Sequence, residues 1–411
     1  MNRTNTVLPN CVSTTDHIRS KVTTRVVKSV WQHYTPTPEV MCLLEQFRQM
    51  LNDCIRIGLA ENMTSMKSLS LKAYHPLGKY DVYSQYRLTA ISAATGILRN
   101  YRKAKRDGRQ VKGPYAHRLW LTTCYGFKVR DGELMLPLRA REHITIPLST
   151  HVQETVESFT VRSVTLTEDR VSLTYAQDVE EIKPDGFVGI DCNLDNVTTA
   201  ASDGTVTFLD LSEATQVKRV YREVHSHFKR NDVRIRRRIS GKYGRKQRDK
   251  VQQILHRASR QIVEDAKAKR YGIVMEKLTG IRKLYRKGNG QGRNYRARMN
   301  SWSYAELQRQ IEYKARWLGL PVIPVPPRGT SSRCSICDHK MKAEENRMLR
   351  CPSCGYVVDR DVNAAKNILA KGALRFGAVA PAFEAMVQEP ACAVLLKVDA
   401  GELAKAGLPP T

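Results

Sequence analysis

Two Cys-x-x-Cys pairs, Cys334-Ser-Ile-Cys337 and Cys351-Pro-Ser-Cys354, run almost directly into Asp359-Arg-Asp-Val-Asn-Ala-Ala365. A tight Cys-x-x-Cys turn offers two thiolates to one ion, and a second such turn completes a tetrahedral site. The 13 residues between the pairs, 338–350, come close to the spacing of a zinc ribbon. Four soft thiolates leave no coordination position open, so one structural zinc on Cys334, Cys337, Cys351 and Cys354 is expected. The stretch must then fold as a small metal-closed module set against the start of a helix.

The charge balance narrows the partners. Lys and Arg number 68 against 40 Asp and Glu, a formal net charge of +28. Such an excess repels itself unless a polyanion neutralises it, so nucleic acid is the expected partner. A hydrophobic fraction of 41% indicates a folded chain with basic surfaces rather than a disordered polycation. At 411 residues, two or three domains are expected. The longest apolar runs, such as residues 391–396, are too short to span a bilayer, so no membrane partner is expected. Residues 1–25 are polar and mixed, without the apolar core of a secretion signal. The other cysteines (Cys11, Cys42, Cys54, Cys124, Cys192, Cys392) follow no spacing rule. That suits a reducing, cytoplasmic compartment rather than a disulfide framework.

Residues 24–31 read as a strand that stops before the Thr35-Pro-Thr-Pro38 break. From Glu39 the apolar residues Met41, Leu44, Phe47, Met50, Leu51 and Ile55 recur at three- and four-residue spacing, which predicts a helix. Helical text resumes over 86–105, and 117–180 reads as short strands. Strands on both sides of helical text predict a helical insertion in a small β-barrel. Phe187-Val-Gly-Ile-Asp191 is a buried-strand pattern ending on a carboxylate, and 196–201 and 206–211 supply two further strands. A long basic helical stretch, 213–268, precedes a second apolar strand, Arg270-Tyr-Gly-Ile-Val-Met-Glu276, again ending on an acid. A helix near 302–318, a strand at 321–325, the cysteine cluster and a helix from Asp361 complete the order. The Ala-, Gly- and Pro-rich tail, 372–411, reads as weakly ordered.

Asp191 and Glu276 each end a strand and Asp361 opens a helix, with steps of 85 residues between them, so only folding can bring them together. Three carboxylates at one end of a sheet can hold two magnesium ions, one to activate water and one to stabilise the leaving 3′ oxygen of a phosphodiester. Taken singly, Asp361 or Asp359 reads equally well as a helix cap, and Glu276 as a solvated strand end.

These residues resemble a known family. The strand with Gly189-Ile-Asp191, the strand with Glu276, and Asp361-Val-Asn-Ala-Ala are similar to the three parts of a split RuvC-like nuclease. The four-cysteine ribbon before the last part is the arrangement of TnpB, the transposon-encoded RNA-guided endonuclease related to type V CRISPR effectors. Tyr34-Thr-Pro-Thr-Pro-Glu39, Arg328-Gly-Thr-Ser-Ser-Arg-Cys334 and Asn363-Ala-Ala-x-Asn367 add to the match, which is specific over about 186–370. One departure is visible: Cys-Asn-Leu-Asp follows Asp191, where the family more usually has a small or apolar residue and glycine.

The resemblance implies a multidomain fold of mixed α/β and α+β class. Its parts would be the start of a wedge β-barrel (1–36), a helical recognition insert (37–116) and the rest of the barrel (117–184). An RNase H-like (RuvC) core with a basic helical insert (185–330), the zinc ribbon (331–356), the last RuvC part (357–371) and the tail would follow. It implies catalysis by Asp191, Glu276 and Asp361 with two magnesium ions, leaving a 5′-phosphate and a 3′-hydroxyl. It also implies Asn363 hydrogen-bonding near the site, a guide RNA, a double-stranded DNA target with a short adjacent motif, and a monomer on one RNA. The rival readings are a compact type V CRISPR effector using a crRNA, a non-cleaving RNA-guided regulator, and a guide-independent transposase with an RNase H fold.

Between Lys218 and Lys250 there are 14 Lys or Arg residues, among them Arg234, Arg236, Arg237, Arg238, Lys242, Arg245, Lys246 and Arg248. This density exceeds one solvated helix face, and Tyr221, Phe228 and Tyr243 lie among the charges, free to stack or to pack. Arg282, Lys283, Arg286 and Lys287 open a Gly-rich stretch after Glu276 that reads as a loop holding a strand near the metals. A third cluster, Arg99 to Lys112, closes the helical insert. Such contacts go mostly to phosphate, so they give salt-sensitive affinity and no sequence specificity.

Overall fold

The computed structural model describes residues 23–228, 231–285, 288–376 and 395–396. The chain divides into two compact units, Arg25–Asp178 and Val179–Thr411 with Met1–Thr24.

In the first unit, strand β1 (Thr23–His33) leads to helices α1 (Pro38–Ala60), α2 (Met66–Ala73) and α3 (Gln85–Arg106). The Thr-Pro-Thr-Pro break is itself a helix start: the Thr37 hydroxyl accepts from the Val40 N–H, and Pro38 takes the first helical position. The buried stripe of α1 includes Val40, Leu43, Leu44, Phe47, Met50, Leu51 and Ile55. Met41, expected in that stripe, is only partly buried, because Val40 and Leu43 hold the inward positions. Six strands follow with one short helix: β2 (Trp120–Thr123), β3 (Lys128–Arg130), β4 (Glu133–Arg139), β5 (Glu142–Pro147), α4 (Thr150–Val156), β6 (Thr160–Thr167) and β7 (Arg170–Glu180). They form two sheets, of order β1-β7-β6-β2 and β3-β4-β5. Since β1 joins β7, the helices interrupt a sheet in sequence.

The second unit begins with β8 (Gly186–Cys192), β9 (Asn196–Ala201) and β10 (Val206–Asp210), then α5 (Ser212–Ser226) and α6 (Ser240–Ala268). Next come β11 (Tyr271–Glu276), α7 (Arg293–Ser301), α8 (Tyr304–Trp317) and β12 (Val322–Val325). Three short strands, β13 (Lys342–Ala343), β14 (Met348–Arg350) and β15 (Val357–Asp359), precede α9 (Arg360–Arg375) and the two-residue β16 (Leu395–Leu396). The main sheet has the order β12-β11-β8-β9-β10-β16. Within it β8, β11 and β12 run parallel, while β9 is antiparallel to β8 and β10.

Every residue of β8 is buried, as a strand covered on both faces requires. Alternation then sorts its side chains. Val188 and Ile190, with Ile273 and Met275 of β11, enter a core shared with α6 and α8. Phe187, with Val274 of β11 and Ile323 and Val325 of β12, meets Ile368, Leu369 and Ala373 of α9 on the opposite face. Gly189 sits on that α9 face. A Cβ there would come within 2.3 Å of the Ala365 carbonyl oxygen and 2.5 Å of the Leu369 nitrogen, both backbone. The glycine is what lets the helix lie against the strand. Helix α9 runs past the expected boundary at 371, because Gly372 and Ala373 pack inward, Gly372 against Val274. Of the tail expected to be weakly ordered, residues 377–394 and 397–411 lie outside the described residues.

Candidate functional site

The register of β8 and β11 positions two of the three acids. Met275 pairs with Ile190 in parallel, so Glu276 and Asp191 follow side by side at the ends of adjacent strands. Asp191 has the parity of Phe187, and Glu276 that of Val274, so both belong to the α9 face. Asp361 lies in the first turn of α9. Its neighbour Asp359 is the cap: that carboxylate accepts from the N–H groups of Asp361 (2.7 Å) and Val362 (3.2 Å). Asp361 is thereby spared the capping role, although it is 4% exposed. Asp191 is 8% exposed.

Burial pushes the Asp191 carboxyl up to about 7, and the negative charges of Glu276 and Asp361 push the same way. The Asn193 side-chain amide donates to it at 2.9 Å and opposes the rise. Glu276 is raised by burial against the pull of its Thr330 hydrogen bond. A buried acid with two further carboxylates beside it is suited to a hard cation. Among the described residues only the cysteines, not the three carboxylates, converge closely enough as placed to share a single ion. Arg347 donates to Asp361 Oδ1 from a tight turn in which Asn346 and Arg347 both have positive φ, 54° and 65°.

The Thr330 hydroxyl donates to Glu276 Oε1 at 2.5 Å, and Thr330 is 1% exposed. Gln308 of α8 donates to the Glu276 carbonyl at 2.9 Å. Asn367 holds the loop that carries Thr330, donating to the carbonyls of Thr330 (2.8 Å) and Arg333 (2.7 Å). Asn363, fully buried, donates to the Arg333 carbonyl (2.7 Å) and accepts from the Ser335 N–H (3.0 Å). Asn363 and Asn367 thus fasten the loop between β12 and the first cysteine pair onto α9.

The four sulfurs of Cys334, Cys337, Cys351 and Cys354 lie within 4.8 Å of one another. Backbone N–H donors of Cys354 and Ser353, with contacts from the other thiols, push the Cys351 thiol down to about 6. Four converging soft donors, one of them already thiolate-prone, fit zinc. Met341, Leu349 and Val358 of the β13-β14-β15 module pack around Cys334 and Cys351.

Of the expected nucleic-acid residues, Arg234, Arg238, Lys242, Arg245, Lys246, Arg248, Arg282 and Lys283 are exposed. Only Arg248 is paired with an acid among the described residues, with Asp249 at 3.6 Å. Arg286 and Lys287, and the side chains of Arg236 and Arg237, lie outside the described residues. The interleaved aromatics pack rather than stand free: the Tyr243 ring centroid lies 6.1 Å from that of Tyr221 and 5.6 Å from that of Phe228. In the Arg99 to Lys112 cluster, Arg99 and Arg102 are partly spent on Thr64, at 2.9 and 3.0 Å.

Sequence reasoning missed Asn193, Thr330 and Arg347. The first two stood in quoted motifs, as the departure after Asp191 and inside Arg328–Cys334. Arg347 has no such signal, because only the fold of the cysteine module carries it back to Asp361.

A mixed sheet carrying two acids, a helix bringing a third and a four-cysteine module make up the candidate site. The family model described as Cas12f1-like, TNB domain, matches residues 304–368. A TnpB-like protein of Methanocaldococcus jannaschii is 30% identical over 264 residues, 60% of this chain and 92% of that protein. InsQ of Escherichia coli K12, which carries the name of an RNA-guided DNA endonuclease, is 31% identical over 235 residues, 50% of this chain and 54% of that one. The cryo-EM structure of a Cas12f1-sgRNA-target DNA complex matches at a TM-score of 0.57 and 15% identity, covering 80% of this chain and 82% of that chain. At that identity the likeness is one of fold. The chain belongs to the TnpB family. Among the described residues no helix is long and apolar enough to cross a membrane.

Proposed function

We propose that this protein is an RNA-guided DNA endonuclease that hydrolyses a phosphodiester bond at Asp191, Glu276 and Asp361. The observation that carries the reading is that buried Asp191 and half-buried Glu276 lie near the ends of adjacent parallel strands, on the side of the sheet that packs against the helix bearing buried Asp361. The main sheet with α9 then serves as an RNase H-like (RuvC) core, interrupted by a zinc ribbon. In this reading residues 1–36 and 117–184 are a wedge β-barrel, 37–116 a recognition insert, and 185–330 with 357–371 the nuclease.

Asp191, Glu276 and Asp361 would hold two magnesium ions, because hard carboxylate oxygens brought together at one end of a sheet suit that cation. Bound there, magnesium supplies an acidified water and charge stabilisation at the phosphate. The chain's own residues prepare the site: Thr330 fixes one oxygen of Glu276, Asn193 steadies Asp191, and Asp359 takes the capping role that would otherwise fall to Asp361. Zinc on the four cysteines is scaffold.

A guide RNA and a DNA target are supported by the net charge of +28, by the name of InsQ and by the complex in which Cas12f1 was solved. The reading has one copy of the chain on one RNA, acting in the cytoplasm of a prokaryote at the nucleoid. Sequencing the RNA that co-purifies with the protein tests it. One discrete RNA species, which directs magnesium-dependent cutting of matching DNA when supplied again, supports the proposal. RNA-free protein that cuts without a guide overturns it.

A further inference from the structure

A groove of about 530 Å³ opens between α5 and α7 beside the loop that follows Asp191. It is lined by Asp195, Gln216, Arg219, Arg222, Asn294 and Arg298, among others. Two cations near it are committed to holding its walls together. Lys218 donates to the Ser301 carbonyl (2.8 Å) and the Ser303 hydroxyl (2.6 Å), and Arg222 to the Ala297 carbonyl (3.0 Å) and the Ser301 hydroxyl (2.6 Å). Asp195 is engaged by the Thr215 hydroxyl at 2.6 Å. Arg219 and Arg298 remain: both are exposed, and neither has a carboxylate partner among the described residues. Two free guanidiniums thus face a cleft whose walls are braced by other residues.

The lining dictates the ligand class. Guanidiniums and the side-chain amides of Gln216 and Asn294 suit phosphate and sugar oxygens. Among the described residues no aromatic ring lines the groove, so it offers bases nothing to stack on and tolerates any sequence. The β8–β9 loop joins groove and acids: Asn193 bonds Asp191, and Leu194 and Asp195 form part of the lining.

We propose that this groove seats the sugar-phosphate backbone of the single DNA strand being cut, with Arg219 and Arg298 as its phosphate ligands. The proposal rests on the nuclease reading of Asp191, so its test includes binding measured without cutting. The full-length protein with its co-purified RNA, carrying Asp191→Ala, is titrated with a labelled single-stranded oligonucleotide, with and without Arg219→Gln and Arg298→Gln. The double substitution should weaken binding by about tenfold and flatten the log-log salt slope by about 0.7 for each arginine. With Asp191 left intact, the double substitution should lower the cutting rate, while guide-RNA affinity and target binding stay within about twofold. Unchanged oligonucleotide affinity overturns the proposal, as does a loss of guide-RNA affinity, which would give the groove to the guide. Cutting that survives Asp191→Ala would count against the nuclease reading, not against the groove.

Discussion

Thr330 and Glu276 are joined by a 2.5 Å hydrogen bond, although Thr330 belongs to the loop that enters the cysteine module and Glu276 ends a strand of the main sheet. Asn367 pins the carbonyl of that same threonine to α9. One residue therefore ties together the sheet acid, the helix of Asp361 and the approach to the metal cluster. Partners that orient a metal-binding carboxylate typically change metal affinity or activity by about 10–100-fold when removed. Thr330→Val should raise the half-saturating magnesium concentration by about tenfold, leaving guide and target binding unchanged, whereas Thr330→Ser should stay near wild type. Magnesium titration of the cutting rate, with target binding measured in parallel, reads both.

The raised Asp191 carboxyl gives the metal-free protein a pH signature. An acid whose pKa climbs from 3.8 to about 7 on folding keeps a proton that the unfolded chain has already released. Stability should therefore fall as pH rises through that window, and the loss is complete above about 7. Melting temperatures in chelator from about pH 5 to about pH 8 should decline more for wild type than for Asp191→Asn. Magnesium should restore the loss at the upper end. Equal slopes for the two proteins would refute the assignment.

Gly189 is a steric requirement. Alanine there meets backbone on α9, which cannot rotate aside as a side chain can. Gly189→Ala should cost about 1–3 kcal/mol by overpacking and displace Asp361 with its helix. Urea denaturation gives the first quantity, and magnesium-dependent cutting the second. The Gly-Ile-Asp pattern is thus two requirements in one strand: room for the helix, then the acid.

Much of this was readable in the chain because strand and helix periodicities report burial. The strands ending at Asp191 and Glu276, the helix of Asp361 and the paired cysteines all follow from local spacing. What was not readable depends on which segments meet. Asp359 and Asp361 are alike as sequence, and only the hydrogen bonds show that the first caps the helix. Asn363 was expected to hydrogen-bond near the site, and only the fold names its partners, the Arg333 carbonyl and the Ser335 N–H of the cysteine loop. Spacing leaves Tyr221, Phe228 and Tyr243 free to stack or to pack, and only the fold shows their rings packed together.

Zinc should matter to the acids through that loop. Replacing Cys351 by Ser removes a zinc ligand and loosens the segment that Asn363 and Asn367 grip. Elemental analysis should show one zinc equivalent lost. Hydrogen exchange should rise at 328–335 and in the first turns of α9, and remain unchanged in α1 and α3. Protection of α9 that persists without zinc would contradict this coupling.

In the proposed function Asp191, Glu276 and Asp361 together cut DNA where an RNA directs. The most direct measurement programs the purified protein with two guides of different sequence and follows cutting of both matching DNAs with magnesium. Only the DNA matching the supplied guide should be cut, and cutting should be lost in Asp191→Ala while target binding persists. Cutting that ignores the guide, or that survives Asp191→Ala, would contradict it.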